Sequence, residues 1–510
     1  MSGPIRVGAA LLAGSVMCGG CGLILGLDEF TDAPVGTGGG GAGQGGDGLG
    51  GGGGLGGSGG GGGDGGAGQG GGGLGGGEAV WSRIYGDANL QEPTGVAIDT
   101  AGNVFVTGVF EGAVPFGDHT LISAGGTDIF LVKLAPDGNP LWSKQFGDAA
   151  DEQVPLGIAV DGDGNVVITG RFKGSVKFGT TTLSNAGGVN SDVFVAKFDA
   201  GGTHVWSKRF GGTGSESGTG IAVDPGTGDV VVTGWFVDTT INFGTGPLTT
   251  AGAGDSDVFV AKLGATTGNG LWSHDYGGTS WQQGTALAVD PVGNIVMAGS
   301  FGGSIIFGAE TLTDGQNPRD MFLVRLDSSG NPGWAKQFAD VGDHLEDLAV
   351  DASGSIIAAG WHLGATDFGC GPLSSALSRP FAAKLDAVGT CTWSRSFDGA
   401  GSAEGIAAIT DPSGNVILAG SFSQTIDFGG GSVASEGSKD IFMAKLDGSG
   451  AHLWSRRAGG AASDVITAIA VDASSGEIAL AGFTHGSLDF GTGPLTSAGY
   501  SDIVVARLAP

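Results

Sequence analysis

Three tryptophans, Trp235, Trp281 and Trp361, stand near segments dense in carboxylates, and this pairing is the best candidate for chemistry in the chain. Indole faces stack on sugars and on cationic groups, while carboxylates supply acceptors and negative charge. Arg171, Glu216, Asp343 and Glu346 fall at comparable places and complete the candidate ligand face. The acidic residues gather in the connections between repeated units: Asp148, Asp151 and Glu152; Glu216; Asp340, Asp343, Glu346 and Asp347; Glu404; Asp464. Such a face is expected to attract cations or basic partners. The plainer alternative is that loops are polar and aromatic rings fill gaps.

Catalytic and metal sets are weaker. His344 and His362 are the one histidine pair able to approach each other, and with Asp343 and Glu346 they could hold a metal. A third ligand at a diagnostic spacing is missing, so no metal is assigned. Asp161-Gly-Asp-Gly-Asn165 imitates the opening of a calcium loop but lacks the distal Glu and sits where a hairpin turn is needed. With no phosphate loop and no nucleophile paired to a base, the reading is of no catalytic residue and no cofactor. A binding or scaffolding module is therefore the leading expectation. An enzyme acting on glycans is the alternative, and it needs two carboxyls roughly 5 Å apart beneath a cleft. A purely structural surface protein is the third.

These residues must be positioned by a repeat. Trp81, Trp142, Trp206, Trp272, Trp334, Trp393 and Trp454 mark a segment that recurs about every sixty residues from position 81 onward. Each unit contains four β-signals, clearest at Leu156–Asp161, Asn165–Phe172, Asp192–Asp199 and His204–Phe210. Short runs of Val, Ile and Phe bounded by Gly and Asp favour strands over helices. Turns such as Asp99-Thr-Ala-Gly-Asn103 and Asp411-Pro-Ser-Gly-Asn415 combine an Asp that caps with a Gly that takes positive φ. A longer connection between the second and third strands, as in Val176-Lys-Phe-Gly179, reads as a small extra hairpin.

The expected fold is all-β: a seven-bladed β-propeller of four-stranded blades over residues 79–510. The last unit ends on its third strand and the domain opens on a fourth, Val80 to Tyr85, so the N-terminal strand should complete the last blade and leave no exposed edge. Lys or Arg recurs at one place on every third strand (Lys133, Lys197, Lys262, Arg325, Lys384, Lys445, Arg507). What repeats in every blade is read as serving the blade, with the stem covering apolar surface and the charge meeting solvent or an acidic neighbour.

Gly157-Ile-Ala-Val-Asp161, Gly164-Asn-Val-Val-Ile-Thr-Gly170, Asp192-Val-Phe-Val-Ala-Lys197 and Val205-Trp-Ser-Lys208, with their counterparts in the other units, resemble the bacterial SBBP-type β-propeller repeats of exported and surface proteins. The resemblance implies the fold and a place at the cell surface, and it brings no catalytic motif. The fifth unit departs from the pattern at Arg379 and Pro380, where a strand donor is lost and irregularity is expected.

Composition sets the address. A net charge of -29 with only 22 Lys and Arg excludes nucleic acid as a partner. Arg6 followed by the apolar run Val7 to Met17 reads as an export signal over residues 1–20, too short to span a bilayer. Cys21 after Gly19 and Gly20 resembles a lipoprotein lipidation site, with Cys18 the less suitable neighbour, so membrane contact is expected only through a lipid anchor. Residues 21–78 form the anchor region and a Gly-rich disordered tether, about 35 Å end to end for forty such residues. The expected product is a monomeric propeller at the cell envelope, as an outer-membrane lipoprotein or secreted, bound to a protein or carbohydrate ligand. In an oxidising compartment Cys370 and Cys391 can pair, closing a loop worth about 3 kcal/mol, though spacing alone leaves the pairing open.

Overall fold

The computed structural model describes residues 76–510 apart from 149–151, 187, 238–239, 253–254, 316–318 and 339–343. The export signal, Cys21, the tether as far as residue 75, and Asp343 therefore lie outside the described residues. What is described is all-β: seven four-stranded antiparallel sheets, with smaller hairpins beside them. No described helix is long and apolar enough to cross a membrane.

In the first sheet the strands run Gln91–Ile98, Val104–Phe110, Asp128–Leu134 and Pro140–Phe146, ordered from the ring axis outward. The middle strands are buried on both faces, which is why they read as unbroken apolar runs: every residue of Asp128–Leu134 is buried. Outermost strands alternate, so Leu141 is exposed while Phe146 is buried. Innermost strands of adjacent sheets touch all round the ring, and the first sheet closes on the seventh. Sheet against sheet, apolar side chains fill the space: Val96, Phe130 and Val132 of the first sheet share one core with Ala468, Ala481 and Val505 of the seventh.

The first strand of each unit begins a few residues before its apolar run. In the second sheet it spans Gln153–Val160, not Leu156–Asp161, and a register shift between Pro155 and Gly157 separates the polar start from the apolar run. All seven innermost strands carry such a shift. The bulge re-aims the preceding residues, which is how a single strand serves both the core and one face of the ring.

The seventh sheet is made from two separate stretches: Ala79–Tyr85 pairs antiparallel with Asp502–Leu508, as its outermost strand. The fifth sheet differs in another way. Its second and third strands, Ile356–Asp367 and Pro372–Leu385, run on into their connecting hairpin as one ribbon. The third strand is continuous through Pro380, and the irregularity falls just before Arg379 at that end of the strand: between the pairs His362–Arg379 and Gly364–Ser375, Ala376, Leu377 and Ser378 stand opposite the single residue Leu363. Cys370 at the ribbon tip is bonded to Cys391 at the start of the outermost strand, with Cα atoms 5.6 Å apart.

Candidate functional site

The ring has two faces, and their chemistry differs. On the face of the hairpin turns, the repeated Lys or Arg of each third strand meets the turn Asp of its own sheet. The seven pairs are Lys133–Asp99, Lys197–Asp161, Lys262–Asp224, Arg325–Asp290, Lys384–Asp351, Lys445–Asp411 and Arg507–Asp472, at 2.5–3.0 Å. Asp161 also takes the Asp163 and Asn165 amides on Oδ1 and the Asn165 side chain on Oδ2, so the loop that imitates a calcium site is a filled hairpin turn. Burial works to raise the Asp161 carboxyl, but bonds from Lys197 and Asn165 hold it below its usual value. Six of the seven repeated tryptophans donate their indole N–H to a turn carbonyl of the next sheet, as Trp142 does to Ala200.

The opposite face carries the predicted ligand residues. There a residue at the start of each innermost strand faces the end of the second strand: Glu92 with Val109, Val154 with Arg171, Ser217 with Trp235, Gln283 with Ser300, His344 with Trp361, Glu404 with Ser421 and Val465 with Phe483. Two of the described carboxylates of this face, Glu152 and Glu404, are held in ion pairs. Glu152 binds Arg171 at 3.1 Å and Lys173 at 2.9 Å, so Arg171 is an ion-pair partner. Glu404 binds Lys439 at 2.6 Å.

Two candidates are corrected outright. Glu216 is fully buried at the start of its strand, in the junction with Asp192 of the preceding sheet, and presents nothing to a ligand. Glu346 and Asp347 lie inside the strand His344–Val350, not in a connection. Glu346 accepts the Trp361 indole N–H at 3.0 Å and the Ile406 amide at 2.6 Å; Asp347 accepts the Ala408 amide at 2.9 Å. In the third and fourth sheets the residue equivalent to Glu346 is Thr219 or Thr285, whose hydroxyl reaches a carbonyl of the next sheet. The two acids thus fasten the fifth sheet to the sixth.

His344 and His362 do not converge. His344 stands opposite Trp361 in register, and His362, the next residue, points to the other side of the sheet, where it is buried against Phe381 and bonded to Ser396 at 2.7 Å. No group of three or more potential ligands gathers among the described residues.

What does converge is a chain of rings and one cation. Arg319 stands over the Trp281 ring at 5.3 Å and donates from Nη1 to His344 Nε2 at 2.5 Å. His344 stacks on Trp361 with centroids 4.3 Å apart, and Glu346 fixes the Trp361 indole. Burial, with the Arg319 charge beside it, pushes His344 down to about 3, so its imidazole is neutral and accepts from arginine. Trp281 and Trp361 are therefore brought into one sector across the fourth and fifth sheets. Trp235 lies at the same level of the third sheet, between Ser217 and Val258 in register. Arg319 is the residue the sequence reading missed. Its signal is positional: it precedes the third-strand Asp320, where Ser191, Ser256 and Ser501 stand in other units.

A ring of four-stranded antiparallel sheets, closed on itself and seamed by a strand from the other end of the chain, defines a β-propeller. Residues 80–109 match the SBBP β-propeller repeat. An uncharacterized WD repeat-containing protein of Acanthamoeba polyphaga mimivirus is 23% identical over 416 residues, covering 64% of this chain and 29% of that protein. The chain thus spans under a third of that relative's length. Among solved structures, BamB from Moraxella catarrhalis is 14% identical with a TM-score of 0.33, covering 77% of this chain and 95% of that one. The β-propeller domain of the trilobed protease from Pyrococcus furiosus is 9% identical with a TM-score of 0.41, covering 84% and 94%.

Proposed function

We propose that the chain is an exported β-propeller, lipid-anchored through Cys21, that serves as a non-enzymatic binding module at the cell envelope for a protein or carbohydrate ligand. The observation that carries this reading is the Trp281–Arg319–His344–Trp361 sector. Its rings and cation are each held by a neighbour before any ligand arrives, and pre-positioning of that kind lowers the ordering cost of binding. The entry of the chain supports the same arrangement. Gly76 to Glu78 join the ring on the turn face, beside Ala509, so a tether entering there leaves the aromatic face pointing away from its anchor. Where carboxylates of neighbouring sheets meet, at Asp192 with Glu216 and at Asp440 with Asp464, they are buried, which favours binding over glycan hydrolysis as the reading.

A glycan array and a cross-linking capture from envelope extracts, both with the full chain, test it. Saturable binding that falls at least tenfold in Trp281→Ala, with the melting temperature unchanged, is the expected result. Binding indifferent to Trp281→Ala and to Arg319→Ala would place the ligand elsewhere and overturn the assignment.

A further inference from the structure

On the aromatic face, the junctions between sheets repeat a buried acid. Besides Asp320 of the fourth sheet, which takes the Gly315 amide, five sheets set an Asp at the head of the third strand whose Oδ2 accepts an amide of the preceding loop: Asp128, Asp192, Asp257, Asp440 and Asp502. The Oδ1 of each is buried without a partner, and each carboxyl presses on the glycine that follows its outermost strand, as Asp440 does on Gly459. A buried acceptor left without a donor is costly, and its repetition asks for a cause.

In the first, second and fourth sheets the innermost strand opens with an uncharged residue, Gln91, Gln153 or Gln282. The seventh opens with another acid, Asp464, which feels the charge of Asp440. Both side chains are fully buried, and Asp464 Oδ1, like Asp440 Oδ1, has no partner. The charged and polar groups around them are few. Arg457, from the outermost strand of the sixth sheet, donates to Asp440 at 2.6 Å but shares its charge with Glu436 at 2.5 Å. Gly460 donates its amide to Asp464 at 2.9 Å, and Thr484, from the second strand of the seventh sheet, adds a hydroxyl. Lys439 spends its ammonium on Glu404. One shared guanidinium thus faces two buried carboxylates whose unpartnered oxygens can accept no further charge cheaply but can accept a proton.

We propose that the Asp440–Asp464 junction takes up one proton under mildly acidic conditions and thereby fastens the seventh sheet to the sixth, so that the ring closes more tightly in acid than at neutral pH. The placement matters, because the seventh sheet is the one assembled from two separate stretches of chain. Burial pushes Asp464 up to about 6; bonds from Thr484 and Gly460 offset part of the rise and Asp440 adds to it. A carboxyl raised in the folded state above its unfolded value holds a proton that the unfolded chain has released. Stability from this site is therefore gained as pH falls through about 6 and is lost as pH climbs back through it.

Denaturant unfolding of the full chain at pH 7.5 and pH 5.0, wild type against Asp464→Asn, tests this. The site should raise the folding constant of the wild type about tenfold at the lower pH. Asp464→Asn, neutral at both values, should lose that tenfold from the pH difference and be at least as stable as wild type at pH 7.5. A variant that keeps the whole pH dependence of the wild type would overturn the proposal. So would a carboxyl carbon of Asp464 titrating by NMR in the wild-type chain near 4 instead of near 6, a measurement that stands even where the variant folds poorly.

Discussion

Six of the sheets are each drawn from one continuous stretch of chain, and the seventh is not. In the first sheet the turn between third and outermost strands is Ala135-Pro-Asp-Gly-Asn139. Ala135 N–H donates to Asn139 O, and Gly138 N–H, at φ 81°, donates back to Ala135 O, both at 2.8 Å. In the seventh sheet Ala509 and Pro510 meet Gly76, Gly77 and Glu78 from hundreds of residues away, yet Ala509 N–H donates to Glu78 O at 2.8 Å and Gly77 N–H, at φ 72°, to Ala509 O at 3.0 Å. The turn is rebuilt without a peptide bond across it. A positive-φ glycine and two backbone hydrogen bonds are what the site demands, and connectivity is incidental.

The comparison breaks most completely if the contributed strand is removed. Deleting residues 76–85 uncovers the wholly buried strand Asp502–Leu508 and withdraws Trp81 and Tyr85 from the core shared by the first and seventh sheets. Loss of the cooperative melt is expected by calorimetry, with recovery when a peptide of residues 76–85 is added in trans. A ring that melts as before would mean that the seam carries no stability.

The ion pairs sharpen it next. Arg507 of the seventh sheet binds Asp472 and Glu477 at 2.6 Å each and also donates to the Gly102 carbonyl of the first sheet, whereas Lys445 of the sixth has the single carboxylate Asp411. Removing one partner of a buried pair costs about 3–5 kcal/mol. Arg507→Met should lie at the upper end and Lys445→Met at the lower in urea unfolding; equal values would deny the arginine its role across the seam. Breaking the disulfide of the fifth sheet with Cys391→Ser should cost about 3 kcal/mol, a step absent when wild type and variant are compared in reductant.

The sequence makes some of this legible and hides the rest for physical reasons. Period, turn chemistry and the orphan opening strand are local and repeated, so seven tryptophans and a final unit lacking its fourth strand were enough to place Ala79–Tyr85 beside Asp502–Leu508. The ligand face was harder. Glu346 looked like a loop acid because acids are seldom buried, and only the bulge in its strand and the Ile406 amide explain why this one is. Arg319 escaped because its two contacts, the Trp281 ring and His344, come from opposite sides of a sheet junction that no spacing records.

The smallest prediction is the most discriminating. Trp393, on the outermost strand of the fifth sheet, gives its indole N–H to Gly448 O of the sixth at 3.1 Å, and five other repeated tryptophans do the same to a turn of the next sheet. Trp454 packs against Gly76 and Gly77 of the rebuilt turn, but its Nε1 is buried with no acceptor. The two backbone bonds are kept between the separate stretches, whereas the Trp454 indole N–H finds no acceptor although Pro510 stands at the position of Pro136, which takes the Trp81 indole. Trp393→Phe should therefore lose about 1 kcal/mol more than Trp454→Phe, since both give up the same ring area and only one gives up a hydrogen bond. Trp454→Phe relieves a buried donor and should come close to neutral in that respect. Equal losses in paired urea titrations would show that the seam supplies an acceptor after all, and that the rebuilt turn matches a continuous one in every bond.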